Sequence, residues 1–482
     1  MKALCPYMRL KPWYDVMPEE CGIVGVYDDT AMDTAGTLYY SLYALQHRGQ
    51  ESAGMAISDG RELRHFKGMG LVNEVFGDPE VIERLGEGPI GIGHVRYSTS
   101  GASELVNSQP LVVRYSEGTI ALAHNGNLVN AEGLRSELEC QGSIFQTTLD
   151  TEVIASLVAR KGGDLVDAIK DTMRRIQGSY ALVVMTRDRL IAVRDPYGIR
   201  PLALGRRGNS YIVASETCAF DAAGAEFIRD VRPGEILVID RDGLRSIRTE
   251  TPLESKLCIF EFVYFARTDS VIDGISVYQA RENAGRLLAR RFPVEADLVS
   301  GVPDSAITSA IGFAKEAGIP FGESLAKNRY VGRTFIQPSQ TRREEGVKIK
   351  LNALRRNVQG KRVVLLDDSI VRGTTSRKIV EMLRMAGARE VHMRISSPPV
   401  KFPCYFGIDT PSASQLIGAS HTTEEIRRII GADSLEFMPM ADLLKTVEGS
   451  GCGFCRGCFD GNYPMPVPEC RERGIAATQA AL

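Results

Sequence analysis

Residues 361–376 read KRVVLLDDSIVRGTTS, and their local order decides the second half of the chain. Val363-Val364-Leu365-Leu366 is a short apolar run rich in β-branched residues. Asp367-Asp368 stand at its carboxyl end, followed by Ser369, Gly373, Thr374, Thr375 and Ser376. Ile379, Val380, Leu383 and Met385 then recur at roughly helical spacing. The pattern predicts a buried strand of a parallel sheet, a tight loop, and a helix. Ligands of such sheets lie beyond the carboxyl ends of the strands. Successive backbone N–H groups, a glycine and small hydroxyls at a helix start make a cradle for phosphate.

Two adjacent carboxylates would repel a phosphate unless they hold a divalent cation or bind sugar hydroxyls. Mg²⁺ prefers oxygen ligands and bridges readily to phosphates. The stretch lacks the GxxxxGK[ST] spacing of a P-loop. From local residues alone, an Asp-Asp turn with an ordinary helix cap reads the same way. The stretch resembles the signature of type I phosphoribosyltransferases. That resemblance implies that Asp367 and Asp368 grip ribose hydroxyls and support Mg²⁺. It also implies that Arg372, Gly373, Thr374, Thr375 and Ser376 hold the 5-phosphate of phosphoribosyl pyrophosphate (PRPP).

A chain of 482 residues exceeds one comfortable core, so two or more domains are expected. The residues are 44% hydrophobic and 24% charged, with a formal net charge of −2, which gives no overall attraction to nucleic acid or an anionic membrane. No run of eighteen apolar residues occurs, and no secretory h-region opens the chain. Ten cysteines are too few for a disulfide scaffold at this length, and Cys452, Cys455 and Cys458 crowd near the C-terminus. A cytoplasmic protein, with neither nucleic acid nor membrane as partner, is the expectation.

In the first half, residues 1–20 show no periodicity and read as a tail, and CGIVGVY then begins a strand with Cys21. A buried strand cysteine is one reading of Cys21. The other is a nucleophile that becomes N-terminal once the tail is removed. Its own α-amine, with an ordinary pKa near 8, would take the thiol proton and later protonate the leaving amine. Three polar segments favour the second reading: LQHRGQESAG at 45–54, HVRYST at 94–99, and AHNGNL at 123–128. An arginine pairs well with an amino-acid carboxylate. Asn125 with the Gly126 N–H suits an oxyanion hole, and Asp150 offers a carboxylate to a substrate ammonium. His47, His94 and His124 read as core histidines with satisfied hydrogen bonds, and no base role is assigned to them.

Over essentially its whole length the chain resembles the glutamine phosphoribosylpyrophosphate amidotransferases (amidophosphoribosyltransferases). The resemblance implies a four-layer αββα N-terminal-nucleophile glutaminase followed by an α/β type I phosphoribosyltransferase domain. Carried over, residues 1–20 form a propeptide, 21–250 the class II glutaminase, 251–445 the phosphoribosyltransferase domain and 446–482 a C-terminal tail. Cys21 is then the nucleophile, and Asn125 and Gly126 form the oxyanion hole. Arg48, Arg96 and Asp150 bind glutamine, Arg48 from the segment that organises the site. Ser305, in the strand-end loop SGVPDS, is expected near the Mg²⁺ shell. Arg333, Arg342 and Lys350, in the mixed-charge loop RTFIQPSQTRREEGVKIK at 333–350, are expected to stabilise departing pyrophosphate from a lid over PRPP.

The tail sequence GCGFCRGCF contains two overlapping CxxC pairs, which by themselves fit zinc, an iron–sulfur cluster or a redox dithiol. Similarity to the propeptide-bearing, cluster-bearing branch of the family implies a [4Fe-4S] cluster on Cys258, Cys404, Cys455 and Cys458, with Cys452 left out. The resemblance further implies Mg²⁺ as a cofactor, feedback inhibition by purine nucleotides (AMP, ADP, GMP or GDP) and a homotetramer. The expected reaction hydrolyses glutamine and passes ammonia internally to PRPP, giving 5-phospho-β-D-ribosylamine, glutamate and pyrophosphate, the first committed step of purine synthesis. A non-enzymatic, PRPP-responsive regulator with a phosphoribosyltransferase fold is the alternative. The full glutaminase set argues against it. Another class II amidotransferase would lack the DDSIVRGTTS partner.

Overall fold

Alternating side chains on a few antiparallel strands build the first half of the chain. The computed structural model describes residues 21–28, 30, 33–97, 103–249, 254–328, 351–408, 410 and 412–468. The tail at 1–20, and with it the propeptide expectation, lies outside them, as do Arg333, Arg342 and Lys350. One antiparallel sheet has seven strands, in the order Glu226–Asp230, Ala203–Arg207, Ser210–Ala214, Gly22–Tyr27, Ile90–Arg96, Ser52–Ser58 and Leu63–Met69. A second has six, in the order Gly243–Arg248, Glu235–Asp240, Leu190–Arg194, Gly178–Met185, Gly118–Leu128 and Leu111–Tyr115. Along Gly118–Leu128 the two-residue period sorts side chains into two layers. Ala121 and Ala123 face the inter-sheet core with Ile23, Ile92, Val183 and Val213. Ile120 and Leu122 pack outward with Leu157 and Ile169, from the helices Asp150–Lys161 and Leu165–Arg175. The helices Thr34–Ala44 and Cys218–Ala223 cover the other sheet through Leu38, Leu42 and Phe220. The result is the expected αββα stack.

The second half is built on a four-stranded parallel sheet, in the order Leu298–Gly301, Arg362–Asp367, Glu390–Ile395 and Ser434–Phe437. Val363, Val364, Leu365 and Leu366 are fully buried, as a strand covered on both faces requires. The helix Thr374–Met385 follows it after the loop. The helices Val277–Arg291 and Ile307–Ala317 cross through glycines: a Cβ on Gly312 would lie 2.0 Å from the Glu282 carbonyl oxygen, and one on Gly285 1.8 Å from that of Ser309. The core of this half continues across the domain junction to Ile199.

The tail corrects one expectation. Cys258, Cys404, Cys455 and Cys458 are free cysteines, and no group of three or more His, Cys, Asp or Glu among the described residues could hold a metal ion. The four-thiolate set for a [4Fe-4S] cluster is therefore not formed, and assignment to the iron–sulfur branch does not stand. Burial pushes the Cys455 thiol up to about 12 and raises those of Cys258 and Cys458 well above the ordinary value, so these side chains pack as protonated thiols. Ordinary contacts hold the tail instead. Residues Gly453–Cys455 pair in parallel with Lys256–Cys258, and Phe459 stacks on Phe260 with ring centroids 5.3 Å apart. The Tyr463 hydroxyl donates to the Pro403 carbonyl at 2.7 Å, and the Lys401 and Phe402 N–H groups donate to the Cys458 carbonyl at 2.9 and 3.0 Å.

Gly312→Ala should destabilise the second half by about 1–3 kcal/mol, because the intruding methyl meets backbone on the facing helix. A lowered urea midpoint is the expected result. An unchanged midpoint would mean that the two helices move apart without cost.

Candidate active sites and the junction between them

Cys21 stands one residue before the strand Gly22–Tyr27, and its thiol donates to the Tyr97 carbonyl at 3.5 Å. Burial pushes this thiol up to about 11, against the opposing pull of the Tyr97 contact and the Arg96 charge. The side chain is thus a protonated thiol at neutral pH, and a nearby base is required to make it a nucleophile. Arg96, Glu51 and Asp150 are the charged groups that act on it. Arg96 closes the neighbouring strand Ile90–Arg96, is buried, and pairs with Glu51. Asp150 opens the helix Asp150–Lys161; its carboxylate accepts the Leu128 N–H at 3.0 Å and lies 3.4 Å from His124 Nδ1. Burial alone would raise the Asp150 carboxyl, but His124 and local N–H groups reverse this and hold it below its ordinary value. It is an anion at neutral pH. Asn125 is buried on Gly118–Leu128, and its Nδ2 donor has no hydrogen-bond partner among the described residues. Gly126 follows with φ 147°, and a Cβ there would lie 2.1 Å from the Ser179 carbonyl oxygen, so only glycine fits. His94 Nε2–H donates to the His124 carbonyl at 3.1 Å, and burial lowers its pKa to about 3, which leaves it neutral.

Arg48, expected among the glutamine-binding groups, lies at the junction of the two halves. Its guanidinium is buried between two carboxylates, Glu216 from the first half and Glu261 from the second. Arg200, also buried, lies 3.6 Å from Glu261. Burial alone would raise the Glu216 carboxyl, but Arg48 and His47 outweigh it and hold the group well below the usual carboxylate range. Glu216 also accepts from the Ser270 hydroxyl at 2.6 Å and the Arg267 N–H at 2.9 Å. Sequence reading gave no role to Glu51, Glu216 or Glu261. The signal for Glu261 was a lone carboxylate inside the aromatic run CIFEFVYF, which demands a buried cation.

At the second site the strand Arg362–Asp367 ends in the acidic pair, and both Asp367 and Asp368 are buried. The hydroxyls of Ser305 and Ser369 donate to Asp368, the latter at 2.7 Å, and the Asp368 N–H donates to Asp367 at 3.0 Å. Ser305 and the acidic pair are thus together. Gly373 adopts φ 80° immediately before the helix, where Thr374, Thr375 and Ser376 form the first turn. The loop therefore turns through a conformation that favours glycine and presents the helix N-terminus. Arg372 lies 3.4 Å from Gln415.

Replacing Arg48 by Met should cost roughly 3–5 kcal/mol, because two buried carboxylates lose a shared partner. Chemical denaturation measures it. Unchanged stability combined with a higher KM for glutamine would place Arg48 on the substrate instead.

Residues 94–222 match the glutamine amidotransferase domain family. The amidophosphoribosyltransferase of Bacillus subtilis is 52% identical over 455 residues, covering 93% of this chain and 95% of that protein. That of Archaeoglobus fulgidus is 52% identical over 457 residues, covering 93% and 99%. The solved glutamine PRPP amidotransferase of B. subtilis, complexed with ADP and GMP, superposes with a TM-score of 0.87 at 51% identity, covering 93% of this chain and 98% of that one. With a glutaminase sandwich and a phosphoribosyltransferase sheet joined through buried charges, and with identity at this level over nearly the whole length, the chain belongs to the amidophosphoribosyltransferase family.

Proposed function

We propose that each half of the chain performs one half of a nitrogen transfer, with Cys21 and the acidic-pair loop as the two reaction centres. The activity is that of a glutamine-dependent amidophosphoribosyltransferase, which makes 5-phosphoribosylamine from PRPP and glutamine. In this reading Arg96 receives the substrate α-carboxylate and Asp150 its α-ammonium. With residues 1–20 removed, the Cys21 α-amine takes the thiol proton and the thiolate attacks the amide carbon. Asn125 Nδ2 and the Gly126 N–H stabilise the resulting oxyanion. Collapse breaks the C–N bond, the α-ammonium returns a proton to the leaving ammonia, and water hydrolyses the thioester to glutamate. The buried, unpartnered Nδ2 of Asn125 carries this assignment: it follows His124, which lies 3.4 Å from Asp150, one of the charged groups that act on the Cys21 thiol.

At the second centre ammonia attacks C1 of PRPP while the bond to pyrophosphate breaks. Asp367 and Asp368 position the ribose hydroxyls, and residues 372–376 hold the 5-phosphate. Asp367, Asp368 and Ser305 supply few oxygens, which fits Mg²⁺, an ion that keeps several waters and arrives with phosphates. When bound, Mg²⁺ would offset the negative charge that grows on the leaving group. Arg333, Arg342 and Lys350 are proposed to help from the loop above. Ammonia is mostly protonated in neutral water and then cannot attack, so an internal passage between the centres is part of the reading. Regulation by purine nucleotides is proposed from the ADP- and GMP-bound relative, and a homotetramer is proposed as the assembly. No helix among the described residues is long and apolar enough to cross a membrane. A cytoplasmic location is proposed with it.

Two outcomes test the first centre. Cys21→Ala should abolish glutamate release while leaving ammonia-driven pyrophosphate release intact; loss of both would remove the division of labour. In chain cleaved before Cys21, kcat/KM for glutamine should rise with pH around the α-amine range, near 8, rather than near the buried thiol value of about 11. A limb near 11, or full glutaminase activity in uncleaved chain, would reject the amine as base.

A further inference from the structure

The strand that carries Asn125 and Gly126 is held by the other half of the chain. Residues 404–407 belong to the second half, in the connection that follows the strand Glu390–Ile395. The Asn127 side-chain amide donates to the Tyr405 carbonyl at 2.9 Å. The Ser179 hydroxyl, on the neighbouring strand and in register with Asn127, donates to the Phe406 carbonyl at 2.7 Å. The buried Arg200 guanidinium donates to the same Phe406 carbonyl. Gly407 closes the contact with φ 107°; a Cβ there would lie 2.9 Å from Arg200 Nη2 and 3.3 Å and 3.4 Å from the carbonyl carbon and Cα of Gly126. Gly126 is also close to its strand partner, where a Cβ would meet the Ser179 carbonyl oxygen at 2.1 Å. The Gly126 peptide is therefore held between its strand partner and a loop from the phosphoribosyltransferase half. Oxyanion donors act only when fixed at the right place before the charge develops, and a misplacement near 1 Å can cost on the order of a hundredfold in rate.

We propose that residues 404–407 of the second half are a positioning clamp for the glutaminase oxyanion hole, acting through Asn127, Ser179 and Gly407. The clamp rests on the assignment of Asn125 and Gly126 as the hole. None of its three residues touches glutamine in this account. Asn127 and Ser179 anchor the strand by donating to carbonyls across the junction, and Gly407 sets the distance at which the loop meets Gly126. Through these contacts the second half fixes the geometry of the first reaction. A glutaminase half with the clamp undone would still bind glutamine through Arg96 and Asp150 but would stabilise its oxyanion poorly.

The test uses the full chain, cleaved before Cys21. Asn127→Asp keeps the side-chain shape and removes the donor; Ser179→Ala removes the hydroxyl and Ser179→Thr restores it; Gly407→Ala brings a methyl against Gly126. For Asn127→Asp and Ser179→Ala, kcat with glutamine should fall about tenfold or more. KM for glutamine should stay within about twofold and ammonia-driven pyrophosphate release should be unchanged, since binding groups and the second centre are untouched. Ser179→Thr should recover most of the lost kcat. Asn125→Ala runs in parallel. If it leaves kcat intact, the oxyanion-hole assignment fails and the clamp with it. If it lowers kcat while Asn127→Asp and Ser179→Ala, soluble and with native thermal midpoints, do not, the hole stands and the clamp is overturned. Equal losses with glutamine and with ammonia would mark general damage to the junction and also overturn it. Should Gly407→Ala fail to fold, the Asn127 and Ser179 variants decide the matter alone.

Discussion

Two buried guanidinium groups and two buried carboxylates, Arg48 and Arg200 with Glu216 and Glu261, fix the relation between the halves of this chain. Charges taken out of water are expensive unless every partner is in place. Glu216 comes from the sandwich, as do its partners Arg48 and His47, whereas Glu261 comes from the segment that opens the second half, so Glu261 finds its arginines only when the halves meet in one register. Such a set contributes little net stability relative to apolar packing, but its disruption leaves a bare charge in the interior. It therefore acts as a constraint on geometry. His47, Ser270 and the Arg267 N–H complete the shell of Glu216, and the continuous core around Ile199 surrounds the junction.

The junction places elements of one reaction centre within reach of the other. Arg281, buried on the helix Val277–Arg291, donates to the carbonyls of Phe262, Tyr264 and Ala266, which holds the segment carrying Glu261. Its charge also acts on Asp368 of the acidic pair. From Glu261 the contacts continue to Arg48, and a Cβ on Gly22, the residue after Cys21, would lie 3.5 Å from Arg48 Cβ. Both centres thus lean on the same short segment, 261–266.

Much of this was legible in the sequence because it follows from local order. The apolar run ending in Asp367-Asp368 and Gly373 specifies strand, turn and helix with no help from elsewhere, and the apolar residues after Cys21 specify the strand Gly22–Tyr27. What was not legible depends on residues far apart in the chain. Glu216 and Glu261 acquire meaning only through Arg48, and Asn127 and Ser179 only through the carbonyls of residues 405 and 406. The cysteine tail misled for the same reason. CxxC spacing is a local pattern, whereas a cluster needs thiols from distant segments in one geometry, and the described residues contain no such grouping. The tail is held by strand pairing and by Phe260 against Phe459 instead.

The most direct measurement supplies amide-¹⁵N glutamine together with PRPP, Mg²⁺ and a large excess of unlabelled ammonium, and reads the isotope in the phosphoribosylamine formed while glutamate is released. A two-site enzyme with a closed junction should give product enriched in ¹⁵N far above the bulk ammonium pool, with one labelled product for each glutamate. Product carrying the isotope ratio of the bulk pool, in cleaved protein that hydrolyses glutamine, would contradict the account.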